Sequence, residues 1–68
     1  MESVVVRDPA IMSGAPTFRG TRVLVRTLFE YLEAGYSLER FLEGFPTVSR
    51  ETATQAREEA KESLLASH

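Results

Sequence analysis

Cysteine is absent from this chain of 68 residues, and its only histidine is His68. Disulfides and thiolate metal sites are therefore excluded, and so are catalytic or metal-binding clusters built on histidine. No serine stands beside a plausible activating base, and the paired glutamates fall on helical faces where solvated charge is the usual explanation. We therefore expect no catalytic residue, no metal and no cofactor, and interpret the chain as a non-enzyme.

Long hydrophobic runs are also lacking. No segment approaches the roughly 20 apolar residues that a membrane span requires, and the apolar run near the start covers only residues 4–6. A secretory signal needs a longer apolar region than this. The sequence predicts a soluble cytoplasmic protein with no membrane partner.

The chain is too short for a large core. A domain of about 60 residues buries only about 60% of the surface that its unfolded chain exposes. Small proteins compensate with disulfides, metals or partner subunits, and this composition leaves only the partner subunit. We therefore expect one domain, residues 1–68, that forms a homodimer.

Charge is unevenly distributed, although the net charge is only −2. Up to Thr27, four arginines oppose one aspartate and one glutamate, a sum of +2; from Leu28 onward, eight glutamates oppose three arginines and one lysine, a sum of −4. A basic front and an acidic back are typical of a protein with two kinds of partner, one of them a phosphate backbone. An ordinary mixed-charge surface is the simpler interpretation.

The first 24 residues predict a β arm. A run of three valines closed by Asp8-Pro9 is typical of a short strand, and Thr17-Phe18 can pair back onto it before a turn at Gly20. The glycines of this arm lack the spacing and the lysine of a phosphate-binding loop. Because consecutive valines do not alternate, both faces of the strand need cover, and we assign the dimer interface to Val4, Val5 and Val6.

Helical periodicity begins at Val25 and predicts three short helices, the first two joined at residues 35–37 and the third beginning after Ser49. Residues 25–56 form the predicted helical core, and residues 57–68 form a C-terminal extension. The predicted fold class is mainly α: a short N-terminal β arm or hairpin followed by a three-helix, helix-turn-helix-like bundle.

Basic and polar side chains flank this predicted bundle at positions that suit nucleic-acid binding. The turn between the first two helices fits a DNA-binding helix-turn-helix and a plain helical hairpin equally well. Side chains of this kind hold phosphates or reach base edges, and the candidates are Arg19, Arg22, Arg26, Arg50 and Gln55. The alternative is that they are solvated, which the downstream glutamates favour because glutamates repel phosphate.

A set of short motifs runs through roughly residues 5–60. In chain order they are Asp8-Pro9-Ala10-Ile11, Gly14, Pro16, Arg19-Gly20-Thr21-Arg22-Val23, Val25, Gly35-Tyr36-Ser37, Glu39, Phe45-Pro46-Thr47-Val48-Ser49, Glu51 and Ala56. As a set they resemble the family catalogued as domain of unknown function 433, small proteins regarded as antitoxins of bacterial toxin–antitoxin modules. The chain departs from that pattern at Ala15, where the family commonly has lysine, and so loses one cation of the arm.

The resemblance implies a partner toxin resembling a PIN-domain nuclease. It also implies autoregulation at the operon's own promoter, which makes operator DNA a second partner, and a homodimer within a larger toxin–antitoxin complex. We interpret the chain as an antitoxin that neutralises this toxin and binds DNA. The alternatives are a protein-interaction module without DNA binding and a stand-alone transcriptional regulator.

The C-terminal extension is the predicted toxin-binding element. Adjacent leucines on an acidic segment, beyond the length that a three-helix core covers, are typical of an anchor for a partner's groove. The predicted toxin contacts are Arg57, Glu58, Lys61, Leu64 and Leu65. The alternative is that Leu64 packs back on the first helix and that the glutamates are simply solvated.

Overall fold

A computed structural model describes residues 3–66 as a two-stranded antiparallel hairpin followed by three helices. The predicted fold class is confirmed. Residues 1, 2, 67 and 68, which belong to the predicted domain, lie outside the described range. The elements are β1 (Val5–Val6), a single 3-10 turn (Met12–Gly14), β2 (Thr17–Phe18), α1 (Val25–Glu33), α2 (Leu38–Gly44) and α3 (Arg50–Ala66).

The hairpin is centred on β2, which lies between two other segments. On one side Val5 pairs with Phe18 and Val6 pairs with Thr17, as predicted, with the strand beginning at Val5. On the other side the Phe18 amide donates to the Val23 carbonyl over 3.0 Å, because a turn at Gly20 (φ +79°) reverses the chain. Both β2 residues are consequently buried.

Local signals at the helix ends act as the sequence predicts. Gly35, with φ of +91°, follows α1 in the left-handed conformation that favours glycine. The Ser37 hydroxyl accepts a hydrogen bond from the Arg40 amide over 3.1 Å at the start of α2. Ser49 caps α3 in the same way, accepting from the Thr52 amide over 3.1 Å. Among residues 3–66, no helix is both long enough and apolar enough to cross a bilayer.

The core lies where β2 meets the three helices. Phe18, Leu28 and Phe41 are completely buried, and the Phe18 and Phe41 ring centroids lie 6.0 Å apart. Two alanines of α3, Ala53 and Ala56, are also buried, and their small side chains let this helix approach the others closely. Only the first half of α3 contributes buried residues to this core.

Helix α3 continues without a break past the predicted boundary between residues 56 and 57. All six residues of its last part, 61–66, are exposed. The last part of α3 therefore extends beyond the core as a helix and is available for contacts outside the bundle.

Candidate partner-binding surfaces

Glu59 on α3 ties the start of the chain to the helical bundle. Its carboxylate accepts hydrogen bonds from the Ser3 hydroxyl and, over 3.2 Å, from the Val4 amide. The Ser3 hydrogen bond is the main cause that lowers the pKa of Glu59; partial burial opposes it, and the Val4 amide and the Gln55 side chain add to the lowering. Gln55, a predicted nucleic-acid contact, is therefore half-buried against this carboxylate.

Arg19 is also used inside the chain. Its Nε and Nη2 atoms donate to the Ser3 carbonyl over 3.0 and 2.8 Å. Its guanidinium therefore fastens the same N-terminal segment that Glu59 holds from the other side.

Arg50 forms an ion pair with Glu39 across the junction between α3 and α2, with Arg50 Nη1 2.9 Å from Glu39 Oε2. The pKa of Glu39 is lowered chiefly by a hydrogen bond from its own backbone amide at the start of α2, and then by Arg50. Both side chains are more than half exposed, so this pair contributes little to stability.

Two of the predicted nucleic-acid residues, Arg50 and Arg19, lie apart. Arg50 and Glu59 are nine residues apart on α3, which is about 13 Å of helix, and Arg19 lies at the Glu59 end through their shared contact with Ser3. Arg22 and Arg26 are exposed, and neither side chain is paired with any other residue of the described range. These two arginines are the cations that remain available near the start of α1.

The predicted toxin-binding residues do lie together. At 100° per helical residue they fall within an arc of about 120°, on the opposite side of α3 from the hairpin, and every one of them is exposed. Leu64 is 71% exposed and Leu65 is 60% exposed. We call this surface the outer α3 face: Arg57, Glu58, Lys61, Leu64 and Leu65.

The backbone edge of β1 is partly occupied within the chain. Val4, Val5 and Val6 are all half-buried, and the first two pack against the core. The Val4 amide donates to Glu59, and the Val5 amide donates to the Ser3 hydroxyl over 2.9 Å. A second copy would therefore meet valine side chains here rather than a free row of amides.

An apolar groove runs beside this strand, and the sequence patterns did not predict it. One cavity of about 340 Å³ lies between the hairpin and α3, and is lined by Val5 and Ala60. A second, of about 270 Å³, is lined by Leu24 and Phe29 at the start of α1. Pro16 and Val25 line both cavities, so the two cavities form one continuous surface. We call this surface the apolar groove, and its apolar residues are Val5, Ala15, Pro16, Leu24, Val25, Phe29, Ala56 and Ala60.

The groove carries arginines at its rim. Arg7 lines the first cavity and Arg26 lines the second. The carboxylate of Glu59, which also lines the first cavity, is already hydrogen-bonded to the hairpin. The groove thus combines an apolar floor with a cationic rim, which suits an acidic segment with apolar anchors.

Comparison with known proteins places the chain in a family. The model of the family described as "Protein of unknown function (DUF433)" matches residues 5–60. An uncharacterized protein of Sinorhizobium fredii, y4eO, is 42% identical over 48 residues, which cover 71% of this chain and 22% of y4eO, so the chain spans about a fifth of that relative. No solved structure matches the chain. Because the family model covers most of the chain, including the hairpin, α1, α2 and the buried part of α3, this protein belongs to the DUF433 family.

Proposed function

We propose that this protein is the antitoxin of a bacterial toxin–antitoxin module, acting in the cytoplasm by binding a PIN-like nuclease and not by catalysis. The observation that carries the proposal is the exposure of Leu64 and Leu65 on a helix that extends beyond the core. Apolar anchors on an exposed helix face are the usual means by which a helix enters a partner's groove. The partner class comes from the resemblance of the motif set to antitoxins.

Charge supports the same assignment. Glu58 and Glu62 lie close to Leu65 on α3 and are exposed. A nuclease that holds RNA needs cationic or metal-bearing surfaces to bind phosphate, and glutamates attract the same surfaces. We infer that the leucines anchor the helix while the glutamates compete with RNA for the nuclease's positive charge.

Growth protection tests this proposal. A PIN-like nuclease, sought among the genes that neighbour this protein's own, is expressed with the wild type, with the double variant Leu64→Ser/Leu65→Ser, or with Met12→Ser as a control, since Met12 is another exposed apolar side chain (43%). We expect the wild type and the control to protect the cells and the double variant to fail. Full protection by a folded double variant would place toxin recognition elsewhere in the chain.

The proposal includes a homodimer of the free protein. The three valines that the sequence assigns to the dimer interface are only half-buried in the single chain. A small core of seven buried apolar residues among those described leaves much for a partner subunit to stabilise.

DNA binding at the operon's promoter is the second part of the proposed function. Arg22 and Arg26 support it, because they are exposed and unpaired within residues 3–66. Arg19 and Arg50 would have to give up their contacts with Ser3 and Glu39 before they could hold phosphate.

A salt titration tests the DNA contacts. We expect the affinity for a promoter fragment to fall steeply as salt rises, and Arg22→Ala/Arg26→Ala to reduce the slope of log K against log[salt] by about two, one for each phosphate contact. Arg57→Ala, an exposed arginine on the outer α3 face, serves as the control with an unchanged slope. A fragment that shows no binding at low salt, with or without toxin, would leave a protein-interaction module. Binding and repression without any toxin partner would instead favour a stand-alone regulator.

A further inference from the structure

We propose that the apolar groove of one copy receives the C-terminal end of α3 from a second copy, with Leu64 and Leu65 as its anchors. The inference does not depend on the toxin, because every observation and test below concerns this chain alone.

The first argument is that the chain carries an apolar groove and, outside that groove, two exposed leucines. The groove consists of two adjoining cavities with a mostly apolar lining. Leu64 and Leu65 are the two most exposed large apolar side chains of the described residues. Burying apolar side chains of this size in an apolar groove is favourable.

Geometry prevents a single chain from making this contact with itself. Ser63 lines the groove, while Leu64 and Leu65 follow it on the same continuous helix. Successive helical residues point about 100° apart, so Leu64 points sideways from the direction of Ser63 and Leu65 points away from the cavity that Ser63 lines. A rigid helix cannot turn Leu65 back, so a second copy must supply the groove for it.

Charge selects the same occupant. The groove has Arg7 and Arg26 at its rim, against one carboxylate, that of Glu59. On α3, Glu62 lies one turn and Glu58 two turns before Leu65, on the same side of the helix. An acidic helix end with leucine anchors therefore complements the cationic rim and apolar floor of the groove.

Symmetry allows both copies to dock at once. The groove and the end of α3 adjoin on each chain, since Ala56, Ala60 and Ser63 of α3 form one wall of the groove. A two-fold axis beside the two helix ends lets each end enter the groove of the other copy, which gives a closed, self-complementary interface. Val5 lines this groove, and it then lies in the dimer interface through its side chain.

Sedimentation of the full chain tests the proposal. We expect a wild-type dimer, and we expect the tail variant Leu64→Ser/Leu65→Ser to raise the dimer dissociation constant about tenfold or more, as truncating interface anchors does. The groove variant Leu24→Glu should have the same effect, because it places a carboxylate opposite Glu58 and Glu62. Met12→Ser is the matched control and should leave the dissociation constant unchanged. Ala15→Glu, in a loop at the other side of the groove, replaces Leu24→Glu if circular dichroism shows that variant to be unfolded.

Mixing the two variants gives the decisive result. The tail variant keeps an intact groove, and the groove variant keeps an intact tail. An unaltered contact, with the tail of the groove variant in the groove of the tail variant, can therefore form only between unlike chains. We expect the mixture to contain a heterodimer that is several-fold tighter than either variant's homodimer. A wild-type chain that stays monomeric, a tail variant that dimerises as tightly as the wild type, or a mixture without enhanced association would each overturn the proposal.

Discussion

Glu59 joins the first described residues of the chain to a helix 56 positions later, through the hydroxyl of Ser3 and the amide of Val4. Hydrogen bonds to a carboxylate are stronger than those between neutral groups. Arg19 holds the Ser3 carbonyl at the same place. These few polar contacts, together with the strand pairing, keep β1 against the bundle and so shape the wall of the apolar groove.

Replacing this carboxylate should weaken the fold in a pH-dependent manner. The folded pKa of Glu59 lies below its ordinary value of 4.5, chiefly because of the Ser3 hydrogen bond. Its contribution is therefore fully present above that ordinary value and is lost as the pH falls through the lowered folded pKa. We expect Glu59→Gln to lower the free energy of unfolding by about 1 kcal/mol at pH 7, and the difference from wild type to shrink in acid. Urea unfolding from pH 7 down to pH 3 measures the loss of stability and its decrease in acid.

The control is Glu58→Gln, which changes an exposed neighbour. An equal effect of the two substitutions would contradict the role of Glu59.

Helix α3 has two parts with different environments. Its first part packs buried Ala53 and Ala56 against the other elements, and Glu59 holds the hairpin. From residue 61 to residue 66 every side chain is exposed. Because the core does not need the second part, we interpret it as the binding element, which holds a second copy in the free protein and a nuclease in the complex, one at a time.

Two truncations separate these parts. Ending the chain after Ala60 removes only exposed residues of the described helix. At protein concentrations below the dimer dissociation constant we therefore expect the free energy of unfolding to change by less than about 1 kcal/mol. Ending it after Arg57 also removes Glu59 and should cost clearly more, because the hairpin loses its carboxylate. Thermal unfolding followed by circular dichroism gives the comparison. Equal stabilities of the two truncated chains would show that the hairpin does not depend on α3. A severe loss of stability in the chain that ends after Ala60 would show that residues 61–66 belong to the folding unit.

At the scale of the whole molecule, the features that sequence predicts are those with local causes. Gly35, Ser37 and Ser49 mark helix ends because their effects reach only a few residues along the chain. The pairing of Val5 with Phe18 follows from two short β-prone segments. The outer α3 face was also predictable, because its five residues share one helix.

The structural features that were not predicted from the sequence depend on contacts between segments that are distant along the chain. Nothing near Glu59 indicates that it binds Ser3, and nothing near Arg19 indicates that its guanidinium is already used. The apolar groove joins β1, the loop before β2, the start of α1 and the second half of α3, so no periodic pattern reveals it. The five nucleic-acid candidates were identified by residue type and by place along the chain. Only the packed structure separates Arg22 and Arg26 from the candidates whose side chains are already in contact with other residues.

Hydrogen exchange of the purified protein, alone and with a purified PIN-like nuclease sought among the products of neighbouring genes, tests the central claim most directly. If the outer α3 face binds the nuclease, amides of residues 57–65 should exchange much more slowly in the complex than in the free protein held below its dimer dissociation constant. Those of α2, which the proposal leaves outside the interface, should change little. A complex that protects other segments while leaving residues 57–65 unchanged, or the absence of any complex at micromolar concentrations, would contradict the account.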